Sequence, residues 1–123
     1  MLVVEDNHVN QLVAVGMLEH LGYSTEVAGN GIEALASIAR THFAAVVMDC
    51  QMPEMDGYVA TRELRRMEGA VGSRTPVIAM TASVTDGERE RCLAAGMDDF
   101  VAKPVSPLEL DAALARWVPA SLG

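Results

Sequence analysis

The stretch "VVMDCQMPEMDG", Val46 to Gly57, starts as an apolar run and places a carboxylate, Asp49, where the run ends. Val46, Val47 and Met48 read as the interior of a buried strand, and a proline-containing loop closed by Gly57 follows. Burying a lone carboxylate is costly unless something compensates it. The rest of the chain must supply that compensation.

Outward from this stretch, short apolar runs alternate with segments of helical period. Met1–Val4, Thr25–Ala28, Ala44–Met48, Val77–Met80 and Phe100–Ala102 read as strands. Helices are expected over His8–Leu21, Ile32–Arg40, Tyr58–Met67, Thr85–Ala95 and Pro107–Trp117. The strands are short, continuous and rich in β-branched residues, as in sheets covered on both faces. Five such βα units predict an α/β fold with a doubly wound, five-stranded parallel sheet in a single domain over residues 1–123. Gly22, Gly29, Gly31, Gly57 and Gly96 punctuate element ends, Pro76 precedes a strand, and Ser106 with Pro107 reads as a helix start.

Composition narrows the function. Half the residues are hydrophobic, and 9 basic residues stand against 17 acidic ones, a net charge of -8. The arginines at 62, 65, 66, 89 and 91 are spaced like solvated helix faces, so neither nucleic acid nor an anionic membrane finds a basic footprint. No signal peptide or membrane-length apolar run is present, and a cytoplasmic setting is the expectation. Cys50 and Cys92 suggest neither a disulfide framework nor a metal cluster. His8, His20 and His42 are scattered and read as surface residues, Asp56 as a loop or helix-capping residue, and Asp98 and Asp99 as turn residues.

In open parallel sheets, ligands collect at the carboxyl ends of the strands. Here those ends carry Glu5-Asp6, Asp49, Thr81 and Lys103, which converge on one rim. Three carboxylates together repel one another, and a hard divalent cation relieves that repulsion. Mg²⁺ suits an all-oxygen donor set, Mn²⁺ is a workable substitute, and Zn²⁺ fits poorly beside acids alone. With metal and Lys103 to hold the charge, and the Thr81 hydroxyl to donate a hydrogen bond, Asp49 is set up to carry a phosphoryl group.

Four segments, "LVVEDNHVNQ", "MDCQMPEMDGYVATRELR", "PVIAMTAS" and "AAGMDDFVAKP", lie in order from Leu2 to the last helix. Together they resemble the receiver domains of response regulators, in the wording found in hybrid sensor histidine kinases. The resemblance implies the flavodoxin-like strand order 2-1-3-4-5, given in general form for the chemotaxis receiver. It makes Asp49 the phosphoacceptor, Asp6 a direct metal ligand, Glu5 a ligand through water, and the Gln51 carbonyl the remaining protein ligand. Thr81 becomes the switch hydroxyl, and Lys103 the phosphate-pairing lysine before a frequently cis Pro104. Phe100 takes the place of the switch aromatic. Lacking a tyrosine hydroxyl, it is expected to favour the inward rotamer without phosphate. Gln51 and Ser83 occupy positions that tune phosphate lifetime.

The implied partner is a histidine kinase or histidine phosphotransfer domain. The domain would promote its own aspartyl phosphorylation and dephosphorylation rather than turn over several substrates. The first helix adds a reading of its own. Ala14, Met17, Leu18 and Leu21 suffice to pack on the sheet, leaving Val9, Leu12, Val15 and Gly16 as surplus for a helical phosphodonor to dock on. A hybrid kinase is the expected parent, and the ends of the chain look like those of a domain trimmed from one. A stand-alone regulator and a degenerate receiver used only for protein binding are the alternatives. A flavin binder would want a phosphate cradle where "EDNHVN" stands, and an aspartyl-phosphate phosphatase a second acid at Gln51.

Overall fold

The computed structural model describes residues 1–50, 52, 55–71, 74–82 and 85–118, with the side chains of 70 and 71 left aside. Its strands are β1 (Leu2–Val4), β2 (Glu26–Ala28), β3 (Val46–Asp49), β4 (Val77–Thr81) and β5 (Asp99–Ala102). Between and after them run α1 (His8–His20), α2 (Gly31–Arg40), α3 (Gly57–Val71), α4 (Asp86–Ala95) and α5 (Pro107–Trp117). The sheet is parallel throughout and ordered β2-β1-β3-β4-β5. That is the expected doubly wound, flavodoxin-like arrangement. Because β1 and β3 are neighbours, the order in which strands are added to the sheet reverses there, and Glu5 and Asp49 leave the sheet side by side.

Alternation along the central strands divides the core into two layers. Val46 and Met48 pack with Ala34, Leu64 and Cys92 from α2, α3 and α4. Val47, Ile78 and Met80 pack with Leu18 of α1 and Leu110 and Leu114 of α5. Since both sheet faces are dry, every residue of β1, β3 and β4 is buried.

Helix ends follow local chemistry. Asn7, Asn30 and Thr85 each accept a backbone N–H at the start of α1, α2 and α4. Of the two roles expected for it, loop or cap, Asp56 takes the cap of α3, accepting from the Val59 N–H at 2.9 Å. Ser106 sits at the N-cap of α5, but its side chain makes no capping bond there. Helix α3 runs on to Val71, past the Met67 that sequence reading gave as its end. Gly69 costs such a helix about 1 kcal/mol. Glu68 offsets that cost by bonding the Arg65 guanidinium at 2.6 Å and the Thr75 N–H at 2.5 Å.

Arg65 is not a solvated arginine, and Asp98 is not a simple turn residue. Arg65 is bonded to Glu68, to Asp98 at 2.7 Å, and to the carbonyls of Gly96 and Thr75. Asp98 also accepts from Arg74 and from the Val77 N–H, joining the amino ends of β4 and β5. Gly96 closes α4 at φ 100°, a left-handed conformation that glycine adopts without strain. A side chain there would also meet Arg65. Asp99 opens β5 instead of lining a turn, and holds Arg116 and the Trp117 indole N–H.

Candidate functional site

The acidic rim forms where β1, β3, β4 and β5 end. Glu5 follows β1 and remains tied to the sheet, its N–H donating to the Ala28 carbonyl at 3.1 Å. Its carboxylate is 1% exposed and accepts from the Asn7 N–H at 3.1 Å. The Gln11 side-chain amide donates to the Glu5 carbonyl at 2.6 Å, fixing the turn into α1. Asp49 ends β3 and is 4% exposed. The following loop is cinched by the Gly57 N–H on the Cys50 carbonyl at 3.0 Å. A Cβ at Gly57 would overlap the Asp49 carbonyl oxygen, so only glycine lets the loop return this closely.

Lys103 enters from the end of β5. Its N–H donates to the Thr81 carbonyl at 2.8 Å, and its Nζ stands 3.0 Å from Asp49 Oδ2 and 3.3 Å from Glu5 Oε2. The Lys103-Pro104 peptide is cis. Thr81, 4% exposed, ends β4 beside it. One carboxylate oxygen from each of Glu5, Asp6 and Asp49 falls within 4.8 Å of the others, with Asp6 on the solvent side. Three acids and one lysine thus share a small volume, as expected from the strand ends.

Burial pushes the Glu5 carboxyl above the usual carboxylate range; the Asn7 N–H and Lys103 oppose the rise, and the Asp49 charge adds to it. Burial alone would lower the Lys103 ammonium, but its bond to Asp49 and the charges of Asp49 and Glu5 outweigh that, so it rises. The lysine is therefore held charged, and the acids remain in excess. Three hard oxygen donors with a charge deficit fit Mg²⁺ by donor chemistry.

Elsewhere the agreement is uneven. Gln51 and Ser83 lie outside the described residues. Phe100 is partly buried against the core layer of α3 and α4, with the Arg89 guanidinium 5.1 Å above its ring. The ring is thus not fully turned to solvent. On α1, Val9 and Leu12 are 65% and 60% exposed, and Gly16 is open. Val15 is corrected: it leans on the core with Met17 and Leu21. Val13, absent from the predicted surplus, is exposed and lines a notch of about 170 Å³ with Pro104 and Val105 beside Lys103. A mixed helix stripe hides such a residue until its neighbours are placed.

A family model, the response regulator receiver domain, matches residues 1–115. The chain belongs to that family. It is 48% identical to the receiver domain of the sensor histidine kinase PA1611 of Pseudomonas aeruginosa, a structure with magnesium in its active-site cleft. The TM-score is 0.84, over 94% of this chain and 93% of that one. The Ssk1 receiver domain of Saccharomyces cerevisiae, solved with the histidine phosphotransfer protein Ypd1, matches with a TM-score of 0.90 at 28% identity, covering 95% and 86%. The hybrid signal transduction protein dokA of Dictyostelium discoideum is 43% identical over 95% of this receiver, which spans only 7% of that relative. Histidine kinase 3 of Arabidopsis thaliana is 38% identical over 94%, with 13% of its own length covered. This receiver therefore corresponds to one small part of such multidomain phosphorelay proteins. Among its described residues, no helix is long and apolar enough to cross a membrane.

Proposed function

We propose that Asp49 accepts a phosphoryl group from a phosphohistidine, and that the remaining rim residues hold the product. The carrying observation is Lys103 Nζ at 3.0 Å from Asp49 Oδ2, inside a cluster that also gathers Glu5 and Asp6. An Asp49 carboxylate oxygen attacks phosphorus, the P–N bond to the donor imidazole breaks, and an acyl phosphate forms. The departing imidazole takes a proton from water. Lys103 moves its ion pair from the carboxylate to a phosphoryl oxygen, and Thr81 donates its hydroxyl to another. Asp6, Asp49 and the Gln51 carbonyl would hold Mg²⁺, with Glu5 acting through water; Mn²⁺ shares the oxygen preference. When bound, the metal neutralises charge on the transferring oxygens. Thr81 and Phe100 then carry the change to the surface, with Arg89 holding the ring until they move.

The test is intact-mass measurement after incubation with acetyl phosphate and Mg²⁺. Wild type gains one phosphate and Asp49→Asn gains none; an equal gain in both defeats the assignment.

The donor docks on α1, where Val9, Leu12, Val13 and Gly16 and the adjoining notch leave apolar surface beside Lys103. The occupant is a helix of a histidine phosphotransfer domain or kinase, the class of partner with which the Ssk1 receiver is solved. Leu12→Glu should slow transfer from a phosphohistidine donor at least tenfold, about 1.4 kcal/mol, and leave acetyl phosphate labelling unchanged. Equal slowing in both assays removes the docking role. A hybrid kinase is the proposed parent, supported by relatives such as dokA, a hybrid signal transduction protein, and a cytoplasmic setting is part of the same proposal.

A further inference from the structure

We propose that Cys50, Cys92 and Glu88 form a second metal site, for a thiophilic divalent cation of the zinc class, at the junction of β3 and α4. One ligand atom from each falls within 4.8 Å of the other two. The sequence hid this because Cys50 follows the end of a strand while Cys92 lies on a helix far along the chain. Glu88 and Cys92 are four residues apart on α4, so they stand on one helix face and point together at Cys50.

Neighbouring strand residues face opposite ways, so Cys50 turns from the rim served by Asp49 into the core layer of α3 and α4. The two sites therefore differ in chemistry over a single residue step. The rim offers only hard oxygen donors, whereas this cluster offers two sulfurs and one carboxylate, a set that selects zinc-like ions over Mg²⁺.

A disulfide is the competing use of two close thiols. Cys50 and Cys92 are 2% and 1% exposed, which shields both from oxidants. A disulfide also gives Glu88 no role. Its half-buried carboxylate faces the sulfurs, and among the described residues no ion pair engages it. A cation supplies the missing partner. On binding, the two thiols release their protons to water, two thiolates and the carboxylate ligate the ion, and one water completes a four-coordinate set. Glu88 provides the solvent-side entry. The site then ties α4 to the strand end that carries Asp49.

Co²⁺ is the probe, because thiolate ligation gives a charge-transfer band that carboxylate ligation does not. The 123-residue chain, reduced and saturated with Mg²⁺ to occupy the rim, is titrated with Co²⁺ and back-titrated with Zn²⁺. The band should appear at one equivalent, be displaced by Zn²⁺, persist in Asp49→Asn, and vanish in Cys92→Ala. Glu88→Gln, a partly exposed change that leaves the core intact, should raise the Co²⁺ needed for half-saturation. Zn²⁺ should raise the thermal midpoint of wild type and not of Cys92→Ala. No band in wild type, or an undiminished band in Cys92→Ala, overturns the proposal; so does a Glu88→Gln titration identical to wild type.

Discussion

Two charged clusters sit at opposite ends of the same parallel sheet, and they are built to different ends. At the amino ends of β4 and β5, Arg65 and Arg74 meet Glu68 and Asp98, two cations against two anions with short bonds to the surrounding backbone. At the carboxyl ends, among the described residues, three acids, Glu5, Asp6 and Asp49, gather about one lysine, Lys103. The first cluster is closed, because its charges already balance. The second carries a formal excess of acids over its one lysine, the excess that a metal would offset in the proposed function. Ion pairing as such therefore does not mark a functional site; an imbalance that the fold maintains does.

The sharpest way to break this contrast is Arg65→Ala. It removes the shared cation from Glu68 and Asp98, whose side chains are only 10% and 5% exposed, leaving Glu68 the Thr75 N–H and Asp98 the Arg74 guanidinium and the Val77 N–H. Breaking a buried pair from one side costs about 3 kcal/mol. Urea denaturation should show that loss, while acetyl phosphate labelling per folded molecule stays at the wild-type rate. A labelling defect larger than the unfolded fraction explains would mean that the closed cluster supports the rim directly.

Gly57→Ala tests whether backbone packing, rather than charge, positions the acceptor. The added methyl collides with the Asp49 carbonyl, a backbone atom that cannot swing aside. Overpacking of this kind costs about 1–3 kcal/mol. Both the urea midpoint and the labelling rate should fall, in contrast to Arg65→Ala. A variant that loses stability but labels normally would show that the loop closure is structural only.

The contrast also explains what could be read from the chain. Strand ends are adjacent by topology, so once five short strands were recognised, Glu5, Asp49, Thr81 and Lys103 had to meet. Arg65 and Asp98 are 33 residues apart, in a helix and at a strand entrance, and each looks like an ordinary solvated charge in its own segment. Cys50 and Cys92 escaped for the same reason. Pairings set by how α3 and α4 pack on the sheet leave no local periodicity to detect. Val15 was misplaced because α1 is apolar on more than one face.

The smallest expected effect concerns the cost of the imbalance itself. Burial raises the Glu5 carboxyl above its ordinary 4.5, so the folded protein holds that proton more tightly than the unfolded chain does. Between the two values the unfolded state binds fewer protons, and stability must fall as pH rises through that window. Above the window, ionised Glu5 is a standing cost to the metal-free fold. Glu5→Gln keeps an acceptor for the Asn7 N–H and removes the charge. With a chelator present, its urea midpoint at neutral pH should lie slightly above that of wild type, and the loss of stability with rising pH assigned to Glu5 should flatten. Mg²⁺ affinity should fall by about 10–100-fold, the usual penalty for losing a group that acts on a metal through water. A variant that is both less stable without metal and unchanged in Mg²⁺ affinity would make Glu5 a partner of Lys103 alone, and the rim would then be no more open than the cluster at the other end.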